Sequence, residues 1–199
     1  MPHDRPILLE LPRQLEGPRV IVRPFTDADA LTVHEAIRES VEHVRPWLPW
    51  YGLHETLDDT LEWLRRMQAQ WLLRDSFAMG IFARHDGTFL GGISLGVRSW
   101  RVPAYAIGYW VRASAQGHGY VGEAVRLVTT LAFETLRAQR VMIRCNARNT
   151  RSRNVAERCG YVYEGCLRHQ ERDTSGELCD MLLFAMIPDD YQRHMTAGW

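Results

Sequence analysis

The segment that decides the fold is AIGYWVRASAQGHGY, residues 106–120, where an apolar strand leads into a glycine-containing turn and then directly into a helix. Such a turn exposes successive backbone N–H groups beside the positive end of the helix dipole, which suits a diphosphate. Gly117 and Gly119 would let the backbone approach that anion closely. The segment predicts an anion-binding turn, with an ordinary glycine turn before a helix as the simpler alternative.

Two binding patterns compete for this turn. Residues 117–122 match GxGxxG, the dinucleotide fingerprint, but a Rossmann unit also needs an acid about 20 residues further on, at the end of the next strand. The next predicted strand is RVMIRC, residues 140–145, and Asn146 follows it. The turn also comes after several strands that look antiparallel. The context therefore disfavours a dinucleotide site.

Working outward from this segment, hydrophobic periodicity predicts a mixed α/β chain, of the α+β kind. A hairpin is predicted around Asp86-Gly87, the turn dipeptide between two β-rich runs. The predicted strands cover residues 19–24, 77–83, 89–97, 105–111, 140–145, 161–167 and 180–187; the predicted helices begin at Thr26 or Asp27 and at residues 56, 120 and 152.

Composition limits the classes of function. The chain has 199 residues, and its 24 basic side chains balance 24 acidic ones, so no basic field would attract nucleic acid. No apolar run reaches the roughly 20 residues of a membrane span, and the N-terminus lacks a signal-peptide pattern. The cysteines form no CxxC pair, and Arg38 occupies the position where an HExxH zinc motif would need its second histidine. We expect free thiols, no metal site, no membrane partner and a cytoplasmic location.

Several segments together resemble the GNAT acetyltransferase superfamily. Gln116-x-x-Gly119-x-Val121 is similar to the coenzyme A pyrophosphate loop of that family, with valine in place of the usual glycine or alanine. The run NTRSRNVAERCGYVYEGCLR, the early strand VRPF and the loop RPWLPW match in the same order. Within the superfamily the chain looks closest to the Rim-type ribosomal-protein N-terminal acetyltransferases, the RimL and RimJ group.

The resemblance implies one GNAT domain over residues 1–199, with residues 1–18 as an N-terminal extension that could be mobile. It implies a mostly antiparallel sheet of about six to seven strands flanked by helices. Acetyl-CoA would be the cofactor and a homodimer is possible. The implied cofactor-binding residues are Trp110, Val111, Gln116, Gly117, His118, Gly119, Tyr120, Val121, Asn149 and Ser152.

The catalytic residues implied by the resemblance are Ser152 and Glu171. Ser152 would donate a proton to the leaving thiolate, because the position of the usual tyrosine acid is Ala156 here; alternatively, Ser152 is only the N-cap of the following helix. Glu171 would be the general base, with a pKa raised by partial desolvation; alternatively, it is a surface glutamate paired with Arg168 or Arg172.

Aromatic residues and one cysteine carry weaker predictions. Trp47, Trp50 and Tyr51 lie in a proline-bracketed loop and would contact the acceptor, although a tryptophan here could equally be core. Cys166 invites a covalent acyl-enzyme hypothesis, but the Rim-type pattern has this cysteine without using it as a nucleophile, so we expect a structural role.

The combined prediction is an acetyl-CoA-dependent N-acetyltransferase acting on a protein N-terminal α-amine by direct attack. Two alternatives remain open from the residues: acetylation of a small amine, such as an antibiotic, polyamine or amino-acid derivative, and a non-catalytic module that binds coenzyme A for regulation.

Overall fold

The computed structural model describes residues 5–48 and 54–197. Within these residues, eight strands form one sheet in the order β1-β2-β3-β4-β5-β6-β8-β7. Every neighbouring pair is antiparallel except β5 and β6, which are parallel. The strands are β1 (Leu15–Glu16), β2 (Val20–Pro24), β3 (Ser76–Ala83), β4 (Phe89–Ser99), β5 (Ala104–Val111), β6 (Arg140–Asn146), β7 (Val162–Arg172) and β8 (Leu178–Met186).

Five α-helices of the described part of the chain pack against this sheet. α2 begins with a capping box, in which the Thr56 side chain accepts from Asp59 N and the Asp59 side chain accepts from Thr56 N. The helix α3 continues as a π-helical turn over Leu131–Thr135. The helices are α1 (Ala30–Val44), α2 (Leu57–Leu73), α3 (Tyr120–Thr130), α4 (Thr150–Arg158) and α5 (Pro188–Ala197).

The sheet is buried on both faces at its centre. Phe77, Met79 and Ile81 of β3 belong to one hydrophobic cluster with α3, whereas Ala78 and Phe82 belong to a second cluster with α1 and α2. This alternation follows from the two-residue period of a strand, which sends successive side chains to opposite faces. β3 is therefore apolar from Phe77 to Ala83.

The predicted fold class is confirmed, with three differences in detail. The sheet has one more strand than the seven predicted, because residues 15–16 of the N-terminal extension pair with β2. Leu9 and Leu11 pack against the core, and Arg74 donates to Leu9 O at 2.6 Å, so the described part of the extension is attached to the domain. The last helix, α5, was not predicted. Among the described residues no helix is both long and apolar enough to cross a membrane.

Candidate active site

The central feature of the site is a gap in the sheet between β5 and β6. The two strands pair from Ala104–Arg140 to Ile107–Ile143, and the pairing stops there although both strands continue. On its other side β5 stays paired with β4 as far as Val111. Among residues 5–48 and 54–197, no strand pairs with one edge of residues 108–111, which makes room for an extended ligand between β5 and β6.

A cleft of about 530 Å³ includes the β5 side of this gap. It is bounded by the end of α1, the end of β5, the following turn, and the first turns of α3 and α4. The predicted site residues among its lining are Trp47, Trp110, Val111, Gln116, Gly117, Gly119, Tyr120, Val121, Asn149 and Ser152.

The glycine-containing turn forms the anion-binding end of the cleft. Gly117 and Gly119 have φ of 80° and 78°, and α3 begins at Tyr120 with Gly119 as its N-cap and without a side-chain cap. A Cβ placed on Gly117 would meet no atom within 4 Å, so open space lies beside the backbone. Because no side chain of the described residues caps the first N–H groups of α3, these groups can receive a negatively charged ligand. The turn therefore fits the diphosphate of coenzyme A.

Arg19 and Glu123 hold this turn against the start of β2. The buried Glu123 carboxylate accepts hydrogen bonds from the backbone N of Arg19 at 2.7 Å and of Val20 at 3.0 Å, and from Arg19 Nε at 2.8 Å. Arg19 also donates to His118 O at 2.9 Å. His118 stacks on Tyr120 and is not among the residues that line the cleft, unlike the other predicted cofactor residues.

A second set of contacts fixes the chain between β5 and the turn. Glu39 pairs with Arg112 and accepts from Ser114 N at 2.7 Å, and Ser40 Oγ accepts from Ala113 N at 2.9 Å. His43 Nε2 lies 3.0 Å from Val111 O, to which it must donate. We call Glu39, Ser40 and His43 the α1 latch. The hydrogen bonds from Arg112 lower the pKa of Glu39 to about 2, so the Glu39 carboxylate stays ionised at neutral pH.

The Ser152 hydroxyl is placed by α4 and β5 together. α4 begins at Thr150 with Asn149 as its N-cap, and Asn149 Oδ1 accepts from Ser152 N at 3.0 Å. The alternative that Ser152 is the cap is therefore wrong. Ser152 Oγ instead lies 3.0 Å from Tyr109 Oη, which also donates to Ser152 O at 2.9 Å.

Burial sets the protonation of the groups beside Ser152. It raises the pKa of the Tyr109 phenol, and it raises the pKa of the Cys145 thiol despite the opposing effect of the Ser152 side chain. Both groups are therefore protonated at neutral pH. Cys166 is exposed on β7, one of the two edge strands of the sheet, and is not among the residues that line the cleft. Within the described segments no cluster of three or more metal-ligating side chains occurs.

Glu171 lies on β7, outside the residues that line the cleft. Its Oε1 is 3.4 Å from Arg144 Nη2, and its side chain is 43% exposed. The predicted alternative partners Arg168 and Arg172 are not the ones found. Arg144 directly follows Ile143, the last β6 residue that pairs with β5, so the ion pair holds Glu171 beside the gap.

A bulge in β7 brings Glu171 to this position. Leu167 pairs with Met181 and Glu171 pairs with Cys179, so four residues of β7 span two residues of β8. His169 adopts φ of 52° within the bulge, and its N–H donates to Asp180 Oδ1 at 2.8 Å. Bulges re-aim side chains in this way next to functional sites.

The aromatic predictions have different outcomes. Trp47 is 37% exposed and lines the cleft, so it is not core. Trp110 is buried against Phe89, with ring centroids 5.8 Å apart, and also borders the cleft. Trp50 and Tyr51 lie outside the described residues.

Sequence reasoning missed several residues of this cleft. Tyr109 is part of the predicted strand at residues 105–111, but its contact with Ser152 of α4 forms only in the folded chain. His43 carried no local signal. Arg151, for which no role was predicted, lines the cleft with Arg158 and donates to Gln116 Oε1 at 2.5 Å. Their positive charge adds to the attraction of the turn for an anion.

Comparison with known proteins identifies what this architecture is similar to. Residues 19–162 match the family model described as "Acetyltransferase (GNAT) domain". A Bacillus subtilis (strain 168) protein named "Putative ribosomal N-acetyltransferase YdaF" is 30% identical over 151 residues, which are 75% of this chain and 81% of that protein. The ribosomal-protein-serine acetyltransferase of Escherichia coli (strain K12) is 35% identical over 83 residues, 42% of this chain and 46% of that one. The structure of Mycobacterium smegmatis RimJ in complex with CoA-disulfide has a TM-score of 0.83 at 24% identity, covering 94% of this chain and 95% of that one.

Proposed function

Because the chain belongs to the acetyltransferase (GNAT) domain family, we propose that it transfers the acetyl group of acetyl-CoA to the α-amine of a protein N-terminus, as ribosomal-protein acetyltransferases do. Acetyl-CoA-dependent acetyl transfer follows from the family. The names of the two relatives support a protein acceptor. The observation that carries the proposal is an uncapped helix N-terminus that shares one cleft with the unpaired end of β5.

The cofactor would be held along this cleft. The amides of residues 117–121 would hold its diphosphate, with Arg151 and Arg158 adding positive charge. The unpaired edge of β5 at Val111 would bind the pantetheine arm through backbone groups, with Trp110 bordering the same cleft. Asn149 uses its Oδ1 for the helix cap, so its side-chain N–H groups can donate to that arm.

Acetyl-CoA supplies an acetyl group on a thioester that an amine can attack without a covalent enzyme intermediate. Glu171 takes a proton from the acceptor ammonium, which frees the nitrogen lone pair for attack. Ser152 Oγ donates toward the sulfur from the start of α4. The α1 latch keeps the end of β5 and the turn in one arrangement, so these groups stay aligned.

The acceptor would enter beside Trp47, at the end of the cleft formed by α1, and Trp50 and Tyr51 of the same loop would contact it. A ribosomal-protein acceptor implies a cytoplasmic enzyme. The balanced charge of the chain offers no general attraction for nucleic acid, so recognition of the acceptor rests on this local site.

We further propose that residues 1–199 form a single domain and that the enzyme works as a homodimer. Analytical ultracentrifugation would test the homodimer.

The experiment is a competition among acceptors. Peptides with free N-termini, the same peptides with blocked N-termini and an internal lysine, and a panel of small amines are incubated with acetyl-CoA, and the products are located by mass spectrometry. We expect acetylation of the free α-amine and none of the blocked peptides. Turnover restricted to small amines would overturn the proposed acceptor, and no turnover with any amine would indicate a regulatory module.

Two variants test the catalytic roles. Glu171→Gln should lower kcat by about 10²-fold or more, since general base catalysis typically contributes 10²–10⁴, and Ser152→Ala should lower it with little change in the Kd of acetyl-CoA. Glu177→Gln is the matched control, because Glu177 is an exposed glutamate in the turn between β7 and β8. Equal activity of Glu171→Gln and Glu177→Gln would exclude Glu171 as the base.

A further inference from the structure

Tyr109 connects the unpaired end of β5 to the start of α4. It lies two residues beyond Ile107, the last β5 residue paired with β6. Its phenol oxygen donates to Ser152 O at 2.9 Å and is 3.0 Å from Ser152 Oγ. Tyr109 and Ser152 both line the cleft. A single side chain thus contacts both the backbone and the hydroxyl of the residue proposed as the proton donor.

The count of hydrogens limits how this pair can be arranged. The phenol has one hydrogen and the serine hydroxyl has one. If the phenol shares its hydrogen between the carbonyl and Oγ of Ser152, the serine hydrogen is left to point into the cleft. If the phenol donates to the carbonyl alone, the serine hydrogen rests on the phenol oxygen. In both arrangements Tyr109 limits the rotation of the Ser152 hydroxyl.

Burial keeps the phenol protonated in either arrangement, because it raises the pKa of Tyr109. Tyr109 is therefore suited to hold another donor in place and unsuited to lose its own proton. Donation from the phenol also polarises the Ser152 hydroxyl, which makes that hydroxyl a stronger donor.

We propose that Tyr109 is a positioning residue for acetyl transfer, which orients the Ser152 hydroxyl toward the sulfur of the thioester. The inference rests on the proposed role of Ser152. The bond between the acetyl carbon and the acceptor nitrogen forms, and the bond between that carbon and sulfur breaks with its electron pair on sulfur. The acceptor nitrogen loses two protons: Glu171 takes the first before attack, and the second replaces the proton that Ser152 Oγ gives to the sulfur, while Tyr109 neither gains nor loses a proton.

Tyr109→Phe removes only the phenol oxygen, and Tyr105→Phe is the matched control. Tyr105 lies on the same strand and the same face, four residues earlier, and its hydroxyl also bonds to a backbone carbonyl, Leu136 O at 3.3 Å. We expect Tyr109→Phe to lower kcat about tenfold or more, since misplacing a catalytic group is costly, with the Kd of acetyl-CoA within about twofold of the original. Tyr105→Phe should leave kcat unchanged.

The double variant Ser152→Ala/Tyr109→Phe separates positioning from a general structural effect. If Tyr109 acts through Ser152, the double variant should be no slower than Ser152→Ala alone. A further loss equal to that of Tyr109→Phe in the unmodified protein would overturn the inference, as would full activity of Tyr109→Phe or Ser152→Ala.

A second assay keeps this test independent of the acceptor. Release of free thiol from acetyl-CoA in the absence of any amine measures thioester cleavage by water at the same site. Tyr109→Phe should slow that release together with Ser152→Ala and in the same non-additive way. If no amine is acetylated but thiol release follows this pattern, the proposed acceptor fails and the role of Tyr109 stands. If thiol release is undetectable, or is the same in Tyr109→Phe as in the unmodified protein, the role of Tyr109 fails whichever acceptor is used.

Discussion

Replacing Gly119 with alanine should separate the stability of the turn from its ability to bind an anion. Gly119 has φ of 78° at the N-cap of α3. An L-residue in this left-handed region costs about 1–2 kcal/mol because its Cβ crowds the following carbonyl. The new Cβ would lie 3.5 Å from Arg19 Nη2, an ordinary van der Waals contact, so the protein itself can accept the methyl group. The methyl group would, however, stand beside the amides that the diphosphate must reach.

Gly87→Ala is the control for the backbone strain. Gly87 has φ of 75° in the hairpin turn between β3 and β4, and a Cβ there meets nothing within 4 Å. Urea denaturation should show that each variant loses about 1–2 kcal/mol of unfolding free energy. Calorimetric titration with coenzyme A should show a Kd about tenfold or more higher for Gly119→Ala alone, which corresponds to about 1.4 kcal/mol. Equal affinities of the two variants would refute the assignment of the diphosphate to this turn.

Three further substitutions test the parts that support the site. Glu39→Gln should lower the free energy of unfolding by about 1–2 kcal/mol at neutral pH, a value reduced for the partial exposure of the ion pair. Because the pKa of Glu39 falls from 4.5 to about 2 on folding, its contribution to stability is complete above pH 4.5 and is lost toward pH 2. Urea denaturation at decreasing pH should therefore show a shrinking difference between the variant and the unmodified protein, and a constant difference would argue against the Arg112 contact. Asn149→Ala removes the cap of α4 and should cost about 1 kcal/mol and slow turnover through displacement of Ser152, and Asn149→Asp, which keeps the capping oxygen, should recover the stability. The account of the cap is wrong if the alanine variant matches the original in thermal unfolding and rate. Glu123→Gln should destabilise the protein by about 1–3 kcal/mol, since the neutral side chain can no longer satisfy two backbone N–H groups and a guanidinium together, and an unchanged urea midpoint would contradict this.

The turn and the central strands could be predicted because their signals are local. A strand, a glycine-containing turn and a helix follow one another in residues 106–120, so the anion-binding end could be derived from neighbouring residues. The hairpin around Gly87 is local in the same sense. The strand β1 has only two residues and depends on pairing with β2, so hydrophobic periodicity could not reveal it. The helix α5 did carry a signal, Pro188 followed by two acids in the first turn, and it was missed.

The arrangement around the reacting groups could not be predicted from spacing alone. Ser152 was expected to be a helix N-cap or a proton donor. Whether Asn149 or Ser152 is the N-cap depends on the residue at which α4 begins, and sequence patterns locate helix ends only within a few residues. Tyr109 and Ser152 are 43 positions apart in the chain, and the contacts of the α1 latch join residues more than 60 positions apart. The partner of Glu171 depends on a bulge in β7 that shifts the pairing with β8. Each of these is a tertiary contact between elements whose separate sequences do not specify it.

Amide chemical shifts measure the central claim most directly, because they report on individual backbone N–H groups. The ¹⁵N-labelled protein is titrated with coenzyme A, and the shift of each backbone amide is followed to saturation. The account predicts that the largest changes fall on the amides of residues 117–121, at the start of α3. Saturable binding that leaves these amides unchanged, or an absence of binding at millimolar coenzyme A, would contradict it.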